Sequence, residues 1–406
     1  MKRRDLIKNL SILPASKVLL GSAIPIGAMM TACTPAVVKR DLINELGIRK
    51  IINAVGTVTF MTGSLMHDEV IDTIVTSSQD FVILDEVQDK VGVKIAELCH
   101  AEAAMVSAGC WSAMILGTAG VLTGLDAKKS EQLPFLDGMK SEVITQKSHN
   151  QGYIHALKNT GVKIIEVETA EELAAAVNEK TAMMWFLNYC TADGKIKHEE
   201  WVALGKKFNI PTMIDMAADV PPVENLWRFN DMGFDLVCVS GGKAMRGPQS
   251  AGILMGKKDL IAAARFNAPP RGGNIGRGMK VNKEEILGMY IALEKYVNTD
   301  HVKEWKMWEE RIAFIDNSVK KVTSVTTEVT VPPFANHTPN LKISWDVNKV
   351  KLTSKDLQEK MRGRTPSIEI MGGSGNNVAV SVFMLKPDQV KIVADRLYEE
   401  LSKASV

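Results

Sequence analysis

From residue 162 to residue 256, short apolar runs alternate with stretches of helical periodicity, and few folds accept that pattern. Residues 162–167, 181–189, 211–216, 234–240 and 251–256 are mostly apolar and too short for core helices. Between them, Thr169-Ala170-Glu171-Glu172 has the spacing of a helix-opening capping box, and 198–208 reads as an amphipathic helix. Strands without polar alternation are covered on both faces, as in a parallel sheet whose crossovers are helices. Upstream, 90–98 and 112–122 read as helices on either side of the apolar run 103–107. Residues 283–297 predict a long helix with Ile286, Met289, Tyr290, Leu293 and Val297 on one face. Short strands at 341–345 and 378–382 follow, then a helix over 388–401. The expected fold class is α/β: a large domain over 56–285 with a mostly parallel sheet, then a smaller C-terminal α+β domain over 286–406. An N-terminal arm, 33–55, precedes them.

The 406 residues are 46% hydrophobic and 24% charged, which excludes a disordered chain or a small disulfide scaffold. Basic and acidic side chains nearly balance, 49 to 47, so no long-range field draws nucleic acid or anionic lipid. The five cysteines, at 33, 99, 110, 190 and 238, lack the paired spacing of a zinc site, and no metal is expected.

The N-terminus is an address. Arg3-Arg4, followed by Leu6-Ile7-Lys8 and an uncharged stretch over 18–38, resembles a twin-arginine export signal. Met30-Thr31-Ala32-Cys33 resembles a lipobox, which implies removal of 1–32 and a lipid on Cys33. The expectation is a folded, exported protein on the periplasmic side, held to the membrane only through that lipid.

The chemistry concentrates at Ser240-Gly241-Gly242-Lys243. A lysine after a buried strand and two glycines leaves the sheet at its carboxyl edge, where open α/β sheets bind ligands. Asp215 ends the strand over 211–216 at the same edge. A pyridine-aldehyde cofactor, pyridoxal 5′-phosphate, requires this pair: an amine for a Schiff base and a carboxylate to keep the ring nitrogen protonated. Ala217 is placed to lie flat under the ring. Ser107-Ala108-Gly109-Cys110 joins a strand to a helix, so its N–H groups suit the phosphate, and Ser240 would add a hydroxyl. His149, in the loop after Val143-Ile144-Thr145, is the candidate to stack on the ring's other face.

With these residues in place, the chain resembles the fold-type-I pyridoxal phosphate enzymes. It is most similar to the group containing selenocysteine synthase (seryl-tRNA selenium transferase) and D-glucosaminate-6-phosphate ammonia lyase. The resemblance spans about 46–401. It rests on Ile51-Ile52-Asn53-Ala54-Val55-Gly56-Thr57, Ala101-Glu102-Ala103-Ala104, Asp215-Met216-Ala217-Ala218 and Ser240 to Gly252, with Arg277-Gly278-Met279-Lys280-Val281 matching the lyase branch. It implies that Lys243 is the Schiff-base lysine and Asp215 the ring-nitrogen partner, and that the site lies between subunits of a homodimer or larger assembly. Enzymes of this fold hold a substrate carboxylate with a small-domain arginine, which makes Arg362 and Arg364 candidates; Arg246, Arg271 and Arg277 are further candidates for an acid or phosphate.

The function expected is removal of a proton α to an amino group and β-elimination from an amino acid or amino-sugar acid. A seryl-tRNA selenium transferase-like enzyme or a class V-like aminotransferase would use the same lysine and aspartate. Charge balance and export argue against nucleic acid as a partner. The reading from another class is a non-catalytic exported binding lipoprotein.

Overall fold

The computed structural model describes residues 40–406. The export signal and Cys33 lie outside the described residues. The chain divides after Arg49 into two units. In the described part of the first, Asp41 caps a single helical turn, Leu42–Glu45, and Arg40 pairs with Glu45.

The second unit contains two sheets. Strand β1 (Ile51–Ala54) belongs to the C-terminal one, described below. The large sheet comprises β2 (Ala103–Ser107), β3 (Glu142–Gln146), β4 (Lys163–Val167), β5 (Thr181–Leu187), β6 (Thr212–Asp215), β7 (Leu236–Ser240) and β8 (Gly252–Gly256). Their order is β2-β8-β7-β6-β5-β3-β4, and every pairing is parallel except those of β8, which runs antiparallel to β2 and β7.

Apolarity without alternation has its physical cause here. All seven residues of β5 are buried; Met184 and Phe186 enter one core, while Met183, Trp185 and Leu187 enter the core on the opposite face. The helix Gly109–Thr123 buries twelve of its fifteen residues, wedged between the sheet and the helix Lys258–Phe266. Small residues make that possible: a Cβ on Gly120 would stand 2.7 Å from the Ala264 nitrogen. His198–Phe208 forms as expected, as does Lys283–Val297, opened by an Asn282–Glu285 capping box. Thr169 caps its helix by accepting the Glu172 N–H.

The C-terminal sheet has the order β1-β11-β12-β10-β9, with β9 (Val325–Thr330), β10 (Asn340–Trp345), β11 (Ser367–Gly372) and β12 (Asn377–Ser381). Helices His301–Val319 and Pro387–Lys403 pack on it around Ile343, Val378 and Leu397. Two sequence boundaries move. β1 pairs in parallel with β11, Ile51 opposite Ser367, so the segment expected to be an arm is a sheet strand whose Ile52 and Ala54 lie in the C-terminal core. The helix Lys283–Val297, expected to begin the small domain, buries Ile286, Met289 and Leu293 in the core of the large sheet instead.

Candidate active site

β6 and β7 end side by side, and the side chains at their carboxyl ends meet in a cavity of about 450 Å³ that both Asp215 and Lys243 line. The turn carrying Lys243 is tightly tied. Gly241 N–H donates to Ala251 O (2.9 Å), Gly247 N–H to Gly241 O (2.9 Å), and Ser64 donates from both N and Oγ to Gly242 O. A Cβ on Gly242 would come 2.3 Å from the Gln249 Cα, so the chain can pass there only as glycine. Lys243 is half-buried and Asp215 buried.

Asp215 Oδ1 accepts the Ala217 N–H (3.0 Å) and the Cys110 thiol (3.4 Å). No protein donor among the described residues reaches Oδ2. Burial pushes the Asp215 carboxyl up from its ordinary value, opposed by the Ala217 N–H, the charge of Lys243 and the Cys110 thiol. A cationic N–H set against Oδ2 would oppose that rise. The adjacent Cys238 thiol, burial and the Asp215 charge hold the Cys110 thiol well above the usual range.

The Ser107–Cys110 turn stands next to this pair, joined to it by Cys110. Ala108 occupies the helix N-cap position with no side-chain cap, Gly109 has φ +83, and buried Ser107 donates from Oγ to Gly109 O. The first N–H groups of a fifteen-residue helix are therefore left for a ligand. Ala217 lines the cavity; Ser240 sits just behind it, its N–H donating to Ala217 O (3.4 Å).

Several residues that sequence reasoning missed complete the wall. Tyr153 and Tyr189 line it, as does Asp219, four positions beyond Asp215. Asp219 Oδ1 accepts the Ala335 N–H (2.8 Å), Asn336 N–H donates to Ala218 O (2.7 Å), and Thr57 donates its hydroxyl to Asn336 Oδ1 (2.8 Å). Burial raises Asp219 to about 6. Its place after the β6 strand end was a usable signal. Asn336, far along the chain, carried none.

The expectation for His149 is corrected. The ring is fully buried, accepts the Leu187 N–H on Nδ1 (3.2 Å), and packs edge-on against Phe186. Burial lowers it to about 4, and it does not line the cavity. Within this chain, none of the five candidate arginines lines the cavity. Arg362 forms a two-pronged pair with Glu369, Nε to Oε1 at 2.9 Å and Nη2 to Oε2 at 2.8 Å. Arg364 pairs with Glu399 (2.6 Å) and Glu400 (2.9 Å), and Arg271 with Asp85 (3.2 Å). Arg277 is exposed beside Pro270 and Lys280. Arg246 faces a different cavity. In Arg362, Arg364 and Arg271 a neighbouring carboxylate claims the guanidinium before a substrate does.

Comparison with known proteins follows the same lines. The L-seryl-tRNA selenium transferase family model matches residues 154–334, a span that includes Asp215 and Lys243. A D-glucosaminate-6-phosphate ammonia lyase of Salmonella typhimurium is 25% identical over 80% of this chain and 87% of its own length. A 5′-C-glycyluridine monooxygenase-decarboxylase of a Streptomyces species is 26% identical over 88% and 91%. A solved D-glucosaminate-6-phosphate ammonia-lyase superposes with a TM-score of 0.79, at 22% identity, covering 90% of this chain and 99% of that one. The chain has the fold of that ammonia-lyase, and over residues 154–334 it is similar to the selenium transferase family. With that fold it places Lys243 and Asp215 at the carboxyl edge of the large sheet, where the fold concentrates its ligands. Its homologues are enzymes, which leaves the non-catalytic reading without support.

Proposed function

We propose that this enzyme is a pyridoxal phosphate-dependent lyase acting on a small amino acid or amino-sugar acid. One observation carries the reading: Lys243 and Asp215 share one cavity, and Asp215 keeps Oδ2 free of protein donors. The residues present fit the cofactor. Lys243 Nζ would hold it covalently, Asp215 Oδ2 would accept the ring N–H, Ala217 would lie against the ring, and the N–H groups after Ala108 would take the phosphate. Pyridoxal phosphate bound there supplies an electron sink that acidifies the hydrogen α to the substrate nitrogen.

The protein's own groups do the rest. The Lys243 amine, which lines the cavity, would serve as the base that takes the α-proton. Asp215, buried and fixed through Oδ1, would hold the ring N–H at Oδ2. Asp219, Asn336 and Thr57 form a hydrogen-bonded fence that limits water and orients the substrate's far end. Loss of a group from the neighbouring carbon completes a β-elimination. The likeness to the ammonia lyase over most of both chains supports this order of events.

We also propose a homodimer or larger homo-oligomer, supported by exposed Phe60, Phe81 and Tyr189 on the large-sheet unit. Arg3-Arg4 and Met30 to Cys33 support export to the periplasmic side with a lipid on Cys33.

The test is the visible spectrum of purified protein with added pyridoxal phosphate, beside Lys243→Ala. A visible band that borohydride abolishes, and that Lys243→Ala lacks, is expected. Ammonia released from amino-sugar acids then separates elimination from transamination. Absence of the band in the wild-type protein would overturn the cofactor reading.

A further inference from the structure

A second cavity, of about 280 Å³, lies on the other side of the Lys243 turn. Its walls come from the segment after β1, from Arg246, from the helix His301–Val319 and from residues 383–389. Arg246 closes the turn that Lys243 begins, its N–H donating to Lys243 O (3.0 Å), and its φ is +54. A long side chain in the left-handed region is strained, and such strain persists where the surroundings impose it. Here Arg246 O accepts the His67 N–H and Arg246 Nε donates to Leu65 O (2.7 Å).

The guanidinium so placed has no carboxylate within salt-bridge distance among the described residues. Nor does Arg311, in the wall of the same cavity, which donates from Nη1 to Leu385 O (2.9 Å). Glu304 shares the cavity and the field of both guanidiniums but stands beyond ion-pair distance from either; its close partner is His301 (3.5 Å). Arg271, Arg362 and Arg364 all reach a carboxylate. Two half-buried guanidiniums facing one cavity with spare donors are costly unless an anion completes them.

We propose that this cavity is an oxyanion site, separate from the one at Lys243, that binds a small carboxylate or phosphate-bearing molecule between Arg246 and Arg311. Guanidinium donors suit either group. The volume accommodates a small organic anion. Because Arg246 ends the Lys243 turn, an occupant braces the backbone that presents the lysine.

The experiment titrates the full chain, with excess pyridoxal phosphate so that the cofactor's own anion site is filled, with inorganic phosphate and with malonate. Thermal shift and calorimetry are read against equal ionic strength of chloride. At least one of the two anions is expected to stabilise saturably, and which one does so distinguishes a phosphoryl from a carboxylate ligand. Arg246→Gly removes the guanidinium while relieving the positive φ, and Arg311→Gln keeps polarity without charge; each is expected to weaken binding at least about tenfold. Lys243→Ala is expected to retain the response, which separates this site from the proposed chemistry. Chloride-like, unsaturable stabilisation by both anions would overturn the proposal. So would unchanged affinity in Arg246→Gly and Arg311→Gln.

Discussion

Gly252, the first residue of β8, is where the sheet presses on the turn proposed to take the phosphate, and Gly252→Ala tests that arrangement directly. A Cβ there would stand 2.5 Å from the Gly109 carbonyl carbon and 2.6 Å from the Cys110 nitrogen, about 0.9 Å short of ordinary contact. Both contacts are backbone, so no flexible side chain can swing away. The φ of Gly252 lies outside the left-handed region, so the effect is purely steric. Overpacking of this kind costs about 1–3 kcal/mol. With roughly 2.1 cal/mol/K of unfolding entropy per residue over 406 residues, that lowers Tm by about 1–4 °C. The larger consequence falls on the ligand. Moving the Gly109 and Cys110 N–H groups by most of an ångström spoils their aim at a phosphate, and pyridoxal phosphate should bind at least about tenfold more weakly. Absorbance titration of the dialysed protein reads the affinity, and differential scanning calorimetry reads Tm. Gly272→Ala, with open space around its new Cβ, is the control and should match the wild type. If Gly252→Ala also matches it in both assays, the turn is not clamped by β8.

Arg362→Ala should lower stability by about 1–3 kcal/mol, because Glu369 is buried, yet leave pyridoxal phosphate uptake unchanged; denaturant unfolding and absorbance titration check the two halves. His149 and His198, both lowered to about 4 by burial, gain protons on unfolding, so stability should fall as pH drops from about 6.5 towards 4, by on the order of 3 kcal/mol each. Asp219 acts with the opposite sign. Raised to about 6, it contributes stability at low pH that is lost as pH climbs through 6, so Asp219→Asn should make the acid-side loss steeper in Tm measured from pH 4 to 7. Asp215→Asn, which cannot present an anion at Oδ2, should keep its fold by circular dichroism while its holoenzyme loses ammonia release by at least about 10²-fold.

The sequence by itself determined the elements whose cause is local. His198–Phe208 and Lys283–Val297 start and stop where periodicity places them, and β5 is a strand because an apolar run that short needs cover on both faces. Lys243 and Asp215 were legible for the same reason: each sits at a strand end, and two glycines make the lysine's turn. Tertiary structure alone decided what depends on distant partners. β1 reads as an arm until β11, more than three hundred residues later, supplies the edge it pairs with. His149 has the right loop but turns inward, since the Leu187 N–H and Phe186 lie on the core side. A guanidinium's sequence position says nothing of which carboxylate it meets. Glu369, Glu399 and Asp85 took three of the expected substrate arginines, and the strained turn at Arg246 set another facing a separate cavity. Short-range sterics and hydrogen bonds are written into neighbouring residues, whereas pairing of charges and closure of a cavity are settled only when remote segments pack.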